Sequence, residues 1–194
     1  MLLKIGTALA CLTLFVAEEC GSKPDGAAQH TAAPAASTPA PAATATGPSA
    51  EACRLIEPSE VASVQGFPVS ATQPSARASG EFAYAQCHYT VVSPQGGNFS
   101  VHVEVQRAAR PGASVAGFWQ TQFREAVDKR KSDKPKPIAG VGDEAYWAGN
   151  SVTGSLYALR GDRILRVSAG GGASEQAKIE KAKKLAQLAI KRLG

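Results

Sequence analysis

Apolar and polar residues alternate strictly along two neighbouring stretches in the middle of the chain, 85–91 and 99–106. A period of two predicts β-strands that bury one face and expose the other. The segment between them, 93–97, contains one proline and two glycines, which favour a turn. We therefore predict a β-hairpin over 84–106, with its odd-numbered residues in the core and its even-numbered residues on a wet, polar face.

The same alternation predicts which residues face each other across the hairpin. With a five-residue loop over 93–97, His88 lies opposite His102, and Gln86 lies opposite Glu104. Two imidazoles and a carboxylate on one face make His88, His102 and Glu104 candidate ligands for zinc or copper. The alternative is two ordinary histidines on a sheet surface. A one-residue change of register would separate the set.

Helical periodicity occurs in three other places. The first predicted helix starts at Pro58 and ends at Gly66, residue types that favour a helix start and a helix stop. A second predicted helix, 114–127, carries an apolar and aromatic stripe. A third, 174–193, has apolar residues along one side and most of its lysines on the other. Stripes of this kind favour helices that pack on a core.

The remaining β-structure is predicted as a short meander. Its strands are 144–148, 153–160 and 163–168, separated by Gly-Asn and Gly-Asp turn pairs. The polar stretch 68–80 is predicted to be a loop or a ragged edge strand. The fold class is therefore α+β, an antiparallel sheet of about five to six strands with three helices mainly on one face. The predicted order is α-β-β-α-β-β-β-α.

The first 51 residues differ from the rest. A lysine followed by an apolar run predicts an export signal over 1–20, too short to span a bilayer. Cys20, followed by Gly-Ser, resembles a lipoprotein start and is the lipidation candidate. Glu18 and Glu19 stand where a lipoprotein signal has small residues, so ordinary cleavage and release is the alternative. Residues 21–51, rich in alanine, proline and threonine, predict a disordered tether, which leaves 52–194 as a single α+β domain.

Charge and cysteine content narrow the function classes. The net charge is +5, and removing the leader takes away one lysine and two glutamates, which gives +6. We find no basic stripe with interleaved aromatics, so nucleic acid is not an expected partner. Cys11 and Cys20 lie in the leader region, and Cys53 and Cys87 lie in the domain. An even pair in an exported chain favours a disulfide, with a metal or redox pair as the alternative.

The domain resembles small secreted lipoproteins of the domain-of-unknown-function kind, best represented in actinobacteria. The resemblance rests on short motifs spread over nearly all of 52–194: Cys53-x-Leu55, Pro58-Ser59-Glu60-Val61, Gly66, Cys87-His88-Tyr89, Val141-Gly142-Asp143-Glu144-Ala145-Tyr146-Trp147 and the closing basic helix. It implies an α+β domain at the cell envelope and a disulfide between Cys53 and Cys87. It implies no catalytic residues.

The residues themselves also favour a function without catalysis. No Gly-x-Ser-x-Gly surrounds a serine, and no phosphate-binding loop or dinucleotide motif surrounds the glycine run 170–172. We therefore expect no cofactor. The leading hypothesis is a binding or interaction module of the bacterial cell envelope, tethered by a lipid anchor, whose partner is a small ligand or an envelope protein. The alternative is a structural or accessory envelope lipoprotein that acts through a protein partner, and a weak metal-binding protein or enzyme is the third hypothesis.

Overall fold

The computed structural model describes residues 48–94, 98–129, 134–150, 152–171 and 174–194. The predicted leader, Cys20 and the tether up to residue 47 lie outside these ranges, as does most of the predicted hairpin turn. Pro48–Ala50 and Ala52–Arg54 form two short 3₁₀ turns, and Ala50 is buried.

The predicted hairpin lies near the centre of the sheet. Its strands are β2, Phe82–Val92, and β3, Asn98–Ala108. Their register is the predicted one, because His88 faces His102 and Gln86 faces Glu104. The odd-numbered valines of β3 are buried, which confirms the predicted core side of the strand. We call this side of the sheet the core face and the opposite side, which carries His88 and His102, the polar face.

Besides the hairpin, the sheet contains β1, Val69–Ser79; β4, Lys136–Pro137; β5, Glu144–Gly149; β6, Gly154–Arg160; and β7, Arg163–Ala169. Within the described residues it therefore has seven antiparallel strands, in the order β1-β2-β3-β7-β6-β5-β4. The last three strands agree with the predicted meander to within one residue at each end. Strand β7 connects the hairpin to the meander, because it pairs with both β3 and β6.

The strand count exceeds the predicted five to six because the stretch predicted to be a loop or a ragged edge strand forms the full strand β1, and because β4 was not predicted. β1 pairs with β2 along most of its length, yet nearly all its side chains are exposed. Backbone hydrogen bonds to β2 hold this strand, and none of its side chains is buried. Its sequence therefore lacks the alternation of apolar and polar residues that predicts a half-buried strand. β4 has only two residues and is paired with β5.

Two helices cover the core face. Helix α1, Pro58–Gln65, starts with a capping box between Glu57 and Glu60 and ends at Gly66, whose φ of 82° suits glycine. Helix α4, Glu175–Leu193, is capped by the Ser174 hydroxyl, which accepts a hydrogen bond from the backbone of Ala177. Its predicted apolar side is buried against the sheet. A disulfide joins Cys53 to Cys87 beneath these helices.

The third helical region lies on the polar face, so two of the three helices share the core face, in agreement with the prediction of helices mainly on one face, and one does not. It consists of α2, Val115–Trp119, a π-helical segment, Gln120–Arg124, and α3, Glu125–Lys129. Its aromatic stripe forms a second core with Ile164 of β7. The parity of β2 and β3 could not predict this second core, because apart from Phe82 at the start of β2 its aromatic residues come from other strands and from the helical region.

The motif Val141 to Trp147 has a structural explanation. The Asp143 carboxylate accepts a hydrogen bond of 2.8 Å from the backbone of Gly161 and pairs with Arg160 at 3.1 Å. These contacts lower the pKa of Asp143. A Cβ atom at Gly142 would clash with the carbonyl of Leu159. The motif therefore fastens the start of β5 to the β6–β7 turn.

Candidate functional site

The polar face holds the three residues that the sequence put forward as metal ligands. His88 and His102 face each other across the hairpin, with ring centroids 6.4 Å apart. Glu104 lies two residues further along β3 on the same face, and its carboxylate is turned towards Arg77 of β1, 3.2 Å away, and towards the Gln86 amide. In the described part of the chain, no three His, Cys, Asp or Glu side chains form a group suited to a metal ion.

Glu104 is 5% exposed, so this part of the polar face is not wet as predicted. A buried carboxylate is tolerated only when it is paired and hydrogen-bonded. Arg77 from β1 and Gln86 from β2 supply those contacts, and Arg166 lies opposite Glu104 on β7. Alternation within the hairpin predicted the face of Glu104 and its position opposite Gln86. It could not predict Arg77 or Arg166, because these residues lie on β1 and β7, outside the hairpin.

His102 is half-buried beside this carboxylate. Burial lowers its pKa, and the nearby charge of Glu104 opposes that shift without cancelling it. The neutral imidazole is therefore the favoured form in the folded protein. A neutral His102 facing His88 gives the polar face hydrogen-bonding capacity without adding positive charge.

The helical region over the polar face is fixed at one point by a carboxylate. Glu144, the first residue of β5, accepts a hydrogen bond of 2.8 Å from the indole of Trp119 and is paired with the Arg124 guanidinium. These contacts lower the pKa of Glu144. The π-helical segment begins directly after Trp119 and ends with Arg124, so the two donors bracket its length. Such segments are rare and occur frequently at functional sites.

A cavity of about 220 Å³ lies between this π-helical segment and the sheet. Its lining combines aromatic rings, small apolar groups and two amides: Gln106, Phe118, Gln122, Phe123, Pro135, Ala148 and Tyr157. The rings of Phe123 and Tyr157 lie 4.9 Å apart, and Trp119 packs on Phe123 at 4.4 Å. The cavity therefore has the rigid aromatic lining and few polar groups that characterise small-molecule sites.

Gln106 is the unusual residue of this cavity. It is 6% exposed, and its Nε2 atom is buried without a hydrogen-bond partner among the described residues. An unpaired buried donor costs about 1–3 kcal/mol, and such groups are rare enough in native proteins to need an explanation. The Nε2 atom of Gln65 shares this property, but Gln65 lines none of the cavities described here, and its oxygen already accepts a hydrogen bond from Lys181.

A larger cavity, of about 540 Å³, lies where β6 begins and β7 ends. Arg166 and Lys178 line it together with several hydroxyl groups. Both cations already have protein acceptors, since Arg166 donates to the Ser155 hydroxyl at 3.1 Å and Lys178 donates to the Val152 carbonyl at 2.9 Å. The charged groups of this cavity therefore have hydrogen-bond acceptors within the protein, whereas the Nε2 donor of Gln106 in the smaller cavity has none among the described residues.

The remaining predicted site residues are three cysteines. Cys53 and Cys87 form a disulfide in the core, so these thiols are not free to ligate a metal. Cys20, the lipidation candidate, lies outside the described residues. Sequence reasoning missed Gln106 as a site residue. Its even number placed it on the polar face, but only the packing of a helix over that face buries it.

Comparisons with known proteins give no family and no relative. The chain matches no protein-family model, no curated protein and no solved structure. Among the described residues, no helix combines the length and the apolar character needed to cross a membrane. The case for a function therefore rests on the geometry of the polar face and of the cavity beside it.

Proposed function

We propose that this chain is a non-catalytic binding module of the bacterial cell envelope. Its ligand site is the cavity between the sheet and the π-helical segment. The observation that carries the proposal is the buried Nε2 donor of Gln106, which has no partner in the described part of the chain. This atom is enclosed in the free protein, so we propose that the Gln106 amide turns towards the cavity when a ligand binds. Pairing with an acceptor on the ligand would then remove the cost of leaving the donor unpaired.

The cavity also limits the size and chemistry of the ligand. At about 220 Å³ it is smaller than the ~300–1,000 Å³ that is usual for drug-sized ligands. The rings of Phe118, Phe123 and Tyr157 favour a flat apolar group. We therefore propose a ligand with a single ring, or a short chain, and one hydrogen-bond acceptor.

Two simple probes test this proposal. Benzamide and toluene share a ring, but only benzamide carries a carbonyl acceptor. We expect the full chain to bind benzamide more tightly than toluene and to shift the Gln106 side-chain amide resonance in ¹⁵N NMR spectra. Gln106→Leu should abolish the preference, because a hydrogen bond to an otherwise unpaired donor is worth about 1–3 kcal/mol.

Gln65→Leu is the matched control, since it removes the other unpaired amide, which lies elsewhere. It should leave the preference for benzamide intact. Equal binding of the two probes by the wild-type chain, or equal effects of the two substitutions, would refute the proposed site.

A second candidate function, adhesion to an envelope protein, is supported by strand β1. It is eleven residues long and forms one edge of the sheet, whereas the opposite edge, β4, has two residues. A long exposed edge can add a strand from a partner through backbone hydrogen bonds. Pro74, which lacks an N–H group, is compatible with such an edge position.

Lysine substitutions test the edge, because charges on an edge strand oppose pairing. Ala76→Lys with Ala78→Lys should remove a partner that the wild-type chain recovers from solubilised envelope. Ala116→Lys, at an exposed position of α2, should retain that partner. If the β1 variant retains it as well, the edge is not the contact surface.

A further inference from the structure

Four arginines from distant parts of the chain line one pocket of about 440 Å³ on the core-face side of the sheet. They are Arg54 at the end of a 3₁₀ turn, Arg107 near the end of β3, Arg163 at the start of β7 and Arg192 near the end of α4. Glu51 is the acidic residue of the lining, together with Leu55 and Leu193. We call this the arginine pocket.

Two of the four charges are compensated within the protein. Arg192 forms a two-point ion pair with Glu60, at 2.6 and 2.8 Å, and this pair lowers the pKa of Glu60. Arg163 lies 3.6 Å from Glu51 and donates a hydrogen bond to the Leu193 carbonyl. Arg54 and Arg107 are exposed and have no side-chain partner among the described residues.

The sheet itself brings two of these charges together. Arg107 lies directly opposite Arg163 in the β3–β7 pair, and Arg160 lies opposite Arg163 in the β6–β7 pair. Like charges directly opposite each other destabilise a sheet. Arg160 is relieved by Asp143, but Arg107 has no such carboxylate. The pocket lining therefore includes two guanidinium groups, Arg54 and Arg107, that no carboxylate of the described residues compensates.

We propose that the arginine pocket binds a phosphate group. Guanidinium groups present planar pairs of donors that match phosphate oxygens, and several around one pocket can share a single anion. An anion placed between Arg54 and Arg107 would relieve the repulsion across the β3–β7 pair. This site is separate from the Gln106 cavity, which involves no arginine, so either proposal can fail without the other.

The pocket lies close in sequence to the predicted tether, which favours a membrane lipid as the source of the phosphate. Glu51, in the pocket lining, follows Pro48 by three residues, and Pro48 is joined to the predicted tether. If Cys20 carries a lipid, the chain that bears that lipid is joined to the described residues at Pro48, three residues before Glu51 of the pocket. Arginines next to an anionic surface strengthen binding roughly fivefold each. Soluble phosphate is the other source of the same group.

The experiment uses the full chain with Cys20→Ser, which removes the predicted lipid so that headgroup binding is measured alone. One arm measures sedimentation with phosphatidylcholine vesicles, with and without phosphatidylglycerol. The other arm measures binding of inorganic phosphate by calorimetry. The test variant is R54E/R107E, with R54Q/R107Q as a milder second variant. The charge-matched control is R110E/K184E, at two exposed positions outside the pocket.

Binding that requires phosphatidylglycerol, and that falls roughly 25-fold or more in R54E/R107E but not in the control, supports the pocket with a lipid headgroup as the source. Binding of inorganic phosphate with the same dependence on Arg54 and Arg107 supports the pocket with soluble phosphate as the source. The proposal is overturned if the chain binds neither probe, or if the control loses as much binding as the test variant, since that would reflect net charge alone. Thermal unfolding of each variant checks that the fold is retained.

Discussion

Replacing Tyr89 with phenylalanine removes one buried hydroxyl and leaves the ring in place. Tyr89 lies on β2 with none of its surface exposed, and its hydroxyl donates a hydrogen bond of 2.6 Å to the carbonyl of Ile56. Ile56 itself is fully buried and directly precedes the capping residue Glu57 of α1. This bond therefore ties the segment that leads into α1 to the hairpin.

The size of the effect follows from burial. In the Tyr89→Phe variant the Ile56 carbonyl loses its side-chain donor, and burial keeps water from replacing it. Leaving a buried group unsatisfied costs about 1–3 kcal/mol, against a total stability of about 5–15 kcal/mol for a typical domain. We expect the free energy of unfolding to fall by about that amount.

Urea unfolding measures this change. The midpoint should fall while the m-value stays constant, because the surface exposed on unfolding is unchanged. Tyr84→Phe is the control: Tyr84 lies on the same strand and the opposite face, half-buried under the Arg77 guanidinium, and its hydroxyl has no partner in the described part of the chain. Its effect should stay within about 0.5 kcal/mol.

The pH dependence provides a second measurement. Burial, and secondarily the negative charge of Glu60, raise the pKa of Tyr89 above its unfolded value of about 10. The folded state therefore disfavours the phenolate, and this contribution to stability is complete below pH ~10 and is lost as the pH rises above it. Tyr89→Phe should lose less stability in that alkaline range than the wild-type chain. Coinciding midpoints for the two tyrosine variants, with parallel alkaline profiles, would refute the assigned hydrogen bond.

Four further outcomes are expected. Val103→Asp should abolish cooperative thermal unfolding, because an unpaired charge at this fully buried position costs several kcal/mol; a folded variant would contradict the assigned core face. The lowered pKa of His102 predicts that the wild-type chain loses stability in urea as the pH falls below about 6.5, and that His102→Gln loses less. Non-reducing mass spectrometry should find Cys53 linked to Cys87, and free thiols would exclude the bond. Limited proteolysis should cut within 23–47, before the 3₁₀ turn that contains the buried Ala50, and leave the domain intact, whereas protection of 23–47 would exclude a disordered tether.

Local sequence patterns determined much of the hairpin and its neighbours. Alternation predicted the core side of β3, and parity with a five-residue loop predicted the pairing of His88 with His102. Proline, glycine and an acidic first turn predicted α1. These features are predictable because each depends on residues within one strand, one turn or one helix, where backbone geometry fixes the spacing.

Contacts between distant segments decided the rest. β1 is a strand because its backbone pairs with β2, which leaves no side-chain pattern to recognise. Glu104 is buried because Arg77 and Gln86 supply its partners, and Gln106 is buried because a helix packs over the polar face. The arginine pocket gathers residues from four separate elements. The sequence alone determined which residues lie on each face of the hairpin, because this depends on backbone spacing within a strand. Only the tertiary structure determined which residues are buried, and which charges lie close together, because both depend on contacts between segments that are distant in sequence.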